Sequence, residues 1–229
     1  MDRSIWNAVV IAAGIALAGV FVGNAIRANA QNQRFIEVRG LAEKVVKADR
    51  AAWALRYQAS GDDMAGVMSE LGRQQQLVLR FLTERGFKTE SIGTSPVAVQ
   101  DNWASGRQAR NRYTVRSGVT LTSSDVDAVQ RAETEINELV KAGVVLDFPN
   151  LRYIFTDLNA IKPAMLTEAT TNAKQAAESF ARDSNARILG LRSATQGLFS
   201  IATPLADYDE AGSVMKKVRV VTRMQYRIE

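Results

Sequence analysis

The chain contains no cysteine and no histidine. Thiol catalysis, disulfides, thiolate or imidazole zinc sites and every histidine-centred triad are therefore excluded. Dense basic clusters are also lacking: lysine and arginine outnumber acidic residues by only 29 to 24. That excess biases the surface towards anionic partners but does not mark a nucleic-acid binder, and none is expected. No spacing of residues forms a catalytic signature, and nothing calls for a cofactor or a metal. At 229 residues there is room for one substantial globular domain plus an appendage, with a single core as the default.

What the chain does have is a long apolar run at its start. From Ile5 to Ile26 the only polar side chains are Asn7 and Asn24. A helix of that length, at about 1.5 Å per residue, covers roughly the 30 Å core of a bilayer. Ala28-Asn29-Ala30 satisfies the small-x-small rule for cleavage before Gln31, but a secretory signal has a shorter apolar region, so length favours a retained anchor. The expected organisation is a head over 1–4, a transmembrane anchor over 5–26 that enters the lipid bilayer, a polar linker over 27–34 and a folded domain over 35–229. Within the anchor, Gly19 and Gly23 form a GxxxG, a spacing that lets two helix backbones approach closely. Arg3 precedes the span and Arg27, Arg34 and Arg39 follow it, which by the positive-inside rule alone would leave the domain in the cytoplasm.

Beyond the linker the pattern switches to period two. FIEVRG (35–40) and residues 50–59 alternate as strands with one dry face, the second placing Ala51, Trp53, Leu55 and Tyr57 inward. Apolar residues from Met64 to Leu82 recur at three and four, predicting a helix that ends at Gly86. Strands are expected over 92–100 and 112–122, a helix over 124–143, a strand at Leu151–Phe155, an alanine-rich helix from Pro163 to near Gly190, and strands over 191–201 and 214–228. The order ββαββαβαββ implies an α+β domain: a mainly antiparallel sheet with three helices packed on one face, preceded by the transmembrane helix.

Several segments carry a resemblance. FIEVRGLAEKVVKADRA resembles the opening of the SIMPL-domain family of bacterial envelope proteins, with Ala48-Asp49-Arg50-Ala51 at a step usually written Pro-Asp-x-Ala. KTESIGTSPVAV, RYTVRSGVTLTSSDVDAV and KPAMLTEATTNAKQAAESFARDSNARILGLRSATQG are similar to later strands and to the alanine-rich helix of that family, so the likeness covers nearly all of 35–228. It implies an exported protein, soluble in the periplasm or tethered to the inner membrane, linked in some members to stress tolerance. Some relatives form rings or barrels. The family has no established reaction, so no catalytic residues carry over. The resemblance places this domain on the periplasmic side as a non-enzymatic protein whose partner is itself, against the local charge count.

Candidate contact residues follow from exposure and charge. Trp103, with Arg107 and Arg110, sits in the polar loop DNWASGRQARN, where an exposed aromatic beside arginines suits a subunit or ligand contact. Arg39, Arg56, Arg112, Arg116, Arg219, Arg223 and Arg227 fall on the polar sides of their strands. If those strands adjoin, one sheet face is positive and could take an anionic ligand; otherwise the charges pair locally. Ser213 and Lys216 have Ser-x-x-Lys spacing, which in some acyl-transfer enzymes sets lysine one helical turn from serine, but they precede a strand, whose geometry points the two side chains to opposite faces. Asp207, Tyr208, Asp209 and Glu210 form an acidic turn without a full calcium ligand set. A hydrolase working with carboxylates alone would need a paired acidic cleft, which no spacing displays.

Overall fold

The structure, a computed structural model, describes residues 12–24, 34–104, 106, 110–147, 150–204 and 212–229. The Ala28-Asn29-Ala30 motif, Arg107 and the acidic turn at 207–210 lie outside the described residues. Residues 12–24 form helix α1, and the rest of the expected span also lies outside them. Among the described residues no helix is long and apolar enough to cross a membrane.

The strands are β1 (Phe35–Lys47), β2 (Arg50–Gly61), β3 (Ile92–Thr94), β4 (Ala98–Asp101), β5 (Tyr113–Ser123), β6 (Asn150–Ile154), β7 (Ile188–Gln196), β8 (Ser200–Ala202) and β9 (Met215–Ile228). The helices of the domain are α2 (Met64–Glu84), α3 (Val126–Thr134), α4 (Asn137–Lys141) and α5 (Leu158–Asp183). The domain is α+β with antiparallel pairing, as its alternating strands predict. Among the described residues it has two sheets where one was expected, four α-helices where three were, and two compact units.

The first unit comprises Met1–Lys44, Ile161–Ser200 and Arg219–Glu229. Its sheet runs β1-β9-β7, with β8 also on β9. Helix α5 lies on this sheet through Ala169, Ala173, Ala177 and Ala181, all buried and all four residues apart. Small side chains at that spacing let the helix backbone come close. At Gly40 a Cβ would stand 1.8 Å from the Ala169 carbonyl oxygen and 2.8 Å from the Ala173 Cβ, so only glycine fits. Asn172 Nδ2 donates to the Leu41 carbonyl at 2.8 Å beside this contact, and Val38, Met224 and Tyr226 complete a small apolar cluster with Ala173 and Ala177.

The second unit comprises Val45–Ala160 and Ile201–Val218. Its sheet has the order β3-β5-β2-β6, with β4 also on β5. Strand β2 is antiparallel to β5 from Ala51↔Ser123 to Gly61↔Tyr113 and antiparallel to β6 from Arg50↔Ile154 to Ala54↔Asn150. The core forms where Trp53, Leu55, Tyr57, Val115, Val119 and Leu121 meet Val67, Leu71, Val78, Phe81 and Leu82 of α2. Trp53 meets Phe81 edge to face at a centroid distance of 6.4 Å. Asp63 caps α2 by accepting from the Gly66 N–H at 2.7 Å. Gln74, buried, donates to the Gln58 carbonyl and accepts from the Val145 N–H. Arg85 lies 3.6 Å over the Phe81 ring and pairs with Glu135 and Glu138, clasping α2 to the following helices.

The departures from the expected elements have local causes. The helix expected over 124–143 divides because i→i+3 bonds, Ile136 N–H to Glu133 O and Leu139 N–H to Ile136 O, tighten the chain and bury Leu139. The strand expected over 92–100 divides at Pro96, which has no N–H to give the ladder. Helix α5 begins before Pro163, at Leu158, because the Asp49 carboxylate accepts from the Thr156 and Asp157 N–H groups just ahead of it. It ends at Asp183 rather than near Gly190, since Asn185 turns left-handed (φ 50°) and the Ala186 N–H reaches back to the Ala181 carbonyl.

Two glycines make opposite predictions. Gly40→Val forces β1 away from α5 and lowers the urea midpoint by the equivalent of at least about 3 kcal/mol, the upper end of ordinary overpacking. Gly72, exposed inside α2 with nothing within 4 Å of a Cβ, gains about 0.5–1 kcal/mol as Gly72→Ala from helix entropy. Urea unfolding monitored by Trp fluorescence and circular dichroism measures both.

Candidate functional site

Because β2 alternates, the residues between its core positions face away from α2. The register sets Ala52 opposite Thr122 and Arg152, Ala54 opposite Thr120 and Asn150, Arg56 opposite Gly118, and Gln58 opposite Arg116. Ala52, Ala54, Arg56, Thr120, Thr122, Asn150 and Arg152 line an open depression of about 250 Å³. A second hollow of about 140 Å³ joins Arg56 to Arg116, with Asp147 at its margin. Arg116 donates to Gln100 Oε1 at 3.2 Å. Among the described residues, Arg56, Arg116 and Arg152 form no ion pair with a carboxylate.

The arginines expected on one positive face are thus split between two sheets. On the four-stranded sheet, Arg219 Nε lies 3.7 Å from Glu43 and Arg223 Nε 3.3 Å from Glu37, which also accepts from Gln225 Nε2 at 2.9 Å. Strand β1 supplies the carboxylates that neutralise β9. Arg227 has interactions of its own. Arg219 and Arg223 thus each lie beside a carboxylate of β1.

Trp103 is 55% exposed. Asp101 organises its turn: Oδ1 accepts from the Trp103 and Ala104 N–H groups at 3.0 Å, and Oδ2 pairs with Arg112 at 3.1 Å. The Ala104 bond first, then Arg112, hold the Asp101 carboxyl below its usual range against some desolvation. Among the described residues, the cation beside Trp103 is Arg112, whose guanidinium lies 5.8 Å from the indole centroid and 4.8 Å from that of Tyr113. Arg110 is exposed. At Gly19 and Gly23 a Cβ would meet nothing within 4 Å, so their small-residue face is open. Ser213 Oγ donates to the Met215 carbonyl at 2.9 Å while Lys216 is buried at the start of β9 and has interactions of its own, as befits a turn.

Two residues escaped the sequence reading as site residues. Arg152 hides in a five-residue strand between Leu151 and Tyr153, and only that alternation signals it. Asp49 stood within the family-like step, but its role needs the fold. Its carboxylate accepts from Thr156 N–H, Thr156 Oγ1 and Asp157 N–H at 2.8–3.0 Å, tying the start of β2 to the end of β6. Desolvation works to raise its pKa, yet these bonds together with the Arg50 charge outweigh it and hold the carboxyl below its ordinary value.

Comparison with known proteins agrees with this architecture in one respect. The model of the SIMPL family, described as "Protein of unknown function (DUF541)", matches residues 36–225, and the chain belongs to that family. No curated protein matches it. Among solved structures, a hydrolase from Listeria innocua is 10% identical, with 82% of this chain and 91% of that one covered at a TM-score of 0.23. A likeness that slight carries neither fold nor activity across.

Asp49→Asn keeps the shape but removes the charge, and should lower stability at neutral pH by about 1–3 kcal/mol, the range of a lost charged hydrogen-bond set. Because the folded-state pKa is depressed, the wild-type advantage is fully present above the ordinary value of 3.8 and fades as pH falls through the lowered folded value. Urea midpoints of the two proteins should therefore converge in acid.

Proposed function

We propose that this member of the SIMPL family is a non-catalytic, membrane-tethered protein that self-associates, with its domain on the periplasmic side of a bacterial inner membrane. The observation that carries the tether is α1. Apart from Asn24 at its end it is apolar on every side, yet its side chains are exposed along its length, Ile15 by 68% and Phe21 by 74%. A helix apolar all round needs an apolar surrounding. Its 13 residues cover only about 20 Å at 1.5 Å each; the sequence stays apolar from Ile5 to Ile26, enough for the bilayer core. The periplasmic side and the link to envelope stress rest on the family resemblance.

Self-association is supported by an unprotected edge. Among the described residues β7 pairs only with β9, and Leu189, Leu191 and Leu198 next to or within it are exposed by 45%, 48% and 95%. Free strand edges with apolar side chains invite pairing with another chain. Trp103 on its loop and the open face of Gly19 and Gly23 are further contacts available to a second copy. Tethering then raises the effective concentration of the domains.

Full-length protein should remain in the membrane after carbonate washing, and its intact mass should include Met1 to Ala30; a mass beginning at Gln31 overturns the tether. Protease added to intact spheroplasts should degrade residues 35–229, and their protection would overturn the periplasmic placement. A chain starting at Gln31 should sediment as a defined oligomer weakened by Trp103→Ala and by Leu191→Lys. A monomer at micromolar concentration overturns assembly through the domain; assembly of full-length protein alone, lost on Gly19→Leu, would assign it to the anchor instead.

A further inference from the structure

We propose that the open face of the five-stranded sheet is a binding site for an extended, soluble polymer of oxyanions, gripped by Arg152, Arg56 and Arg116. Three features of that face lead to this occupant. The first is unspent charge: these three exposed guanidiniums have no carboxylate in ion-pair contact among the described residues, whereas Arg219 and Arg223 of the other sheet lie against Glu43 and Glu37. Arg50 shares the face but its charge acts on Asp49, so it is not counted. A planar guanidinium suits paired oxygens of phosphate, sulfate or carboxylate.

The second feature is spacing. Arg152 stands opposite Ala52, Arg56 lies on β2 itself, and Arg116 stands opposite Gln58. At about 3.4 Å per residue the three occupy a track of roughly 20 Å along β2. That is too long for one small anion and suited to several in series.

The third is the floor. Ala52 and Ala54 keep the middle of the track low, with Thr120, Thr122 and Asn150 offering hydrogen bonds beside them. Gly118, opposite Arg56, adds no side chain to the track. No aromatic side chain lies at the outward positions paired across β2, β5 and β6. Single-stranded nucleic acids need such stacking platforms, so the recognised chemistry is the oxyanion backbone alone, as in polyphosphate or an acidic glycan.

The test uses full-length protein in a neutral detergent and long-chain polyphosphate as probe, with binding read by calorimetry across a salt series. Binding is expected at low salt, with log K falling against log salt at a slope of about −2 for three contacts. Arg56→Gln and Arg152→Gln should each cost roughly tenfold, as loss of a charged hydrogen bond does, while Arg223→Gln stays within about twofold. Thermal melts of these exposed substitutions check that each variant folds. Absence of wild-type binding overturns the site, as does equal loss in Arg223→Gln. Inorganic phosphate binding as tightly as the polymer, single-stranded DNA binding more tightly, or anionic-lipid vesicles displacing the polymer would each overturn the proposed occupant.

Discussion

Strand β2 is hydrogen-bonded on both sides, to β5 and to β6, and this fixes the second unit of the domain. A strand so held cannot slip by one residue without moving its core side chains into water. Trp53, Leu55 and Tyr57 are therefore committed to the dry face under α2, and Ala52, Ala54 and Arg56 to the open one. The hydrophobic core and the basic track are two consequences of one pairing. Asp49 secures it at the end where β2 begins, converting the loose N–H groups ahead of α5 into charge-assisted bonds.

The four-stranded sheet obeys a different constraint. Its cover is a helix whose contact stripe is alanine, so little apolar surface is buried per residue and the gain comes from close approach. Gly40 makes that approach feasible, and the apolar cluster around Val38 and Ala173 is correspondingly small. On the outward side, Glu37 and Glu43 meet Arg223 and Arg219. Such exposed pairs add little stability, but they remove the net field that an unopposed arginine row would create. One sheet face is thereby close to neutral while the other keeps its charge.

These two surfaces belong to a member of a family described as of unknown function. What distinguishes its parts is how each leaves surface unsatisfied among the described residues: an apolar helix with exposed side chains, a strand edge without a partner, and a row of guanidiniums in no ion pair with a carboxylate. Lipid, another copy and an anionic polymer are the occupants proposed for these three surfaces, and they call on different residues.

The sequence by itself determined the faces of the strands and helices, though Met68, expected among the packing positions of α2, is exposed. Period two placed Trp53, Leu55, Val119 and Leu121 inside, spacing of three and four placed Val67, Leu71 and Val78 against them, and the alanine stripe of α5 announced close packing. These are local properties, set by backbone geometry within a few residues. The family was legible for the same reason, since its marks are turns and strand starts. Only the tertiary structure decided which strands are neighbours. Pairing joins residues far apart in the chain, so nothing local to Arg219, Arg223, Arg56 or Arg152 says that the first two will meet Glu43 and Glu37 while the last two form no ion pair among the described residues. The same non-locality hid the role of Asp49, whose partners are more than a hundred residues away and become partners only when β6 lies beside β2.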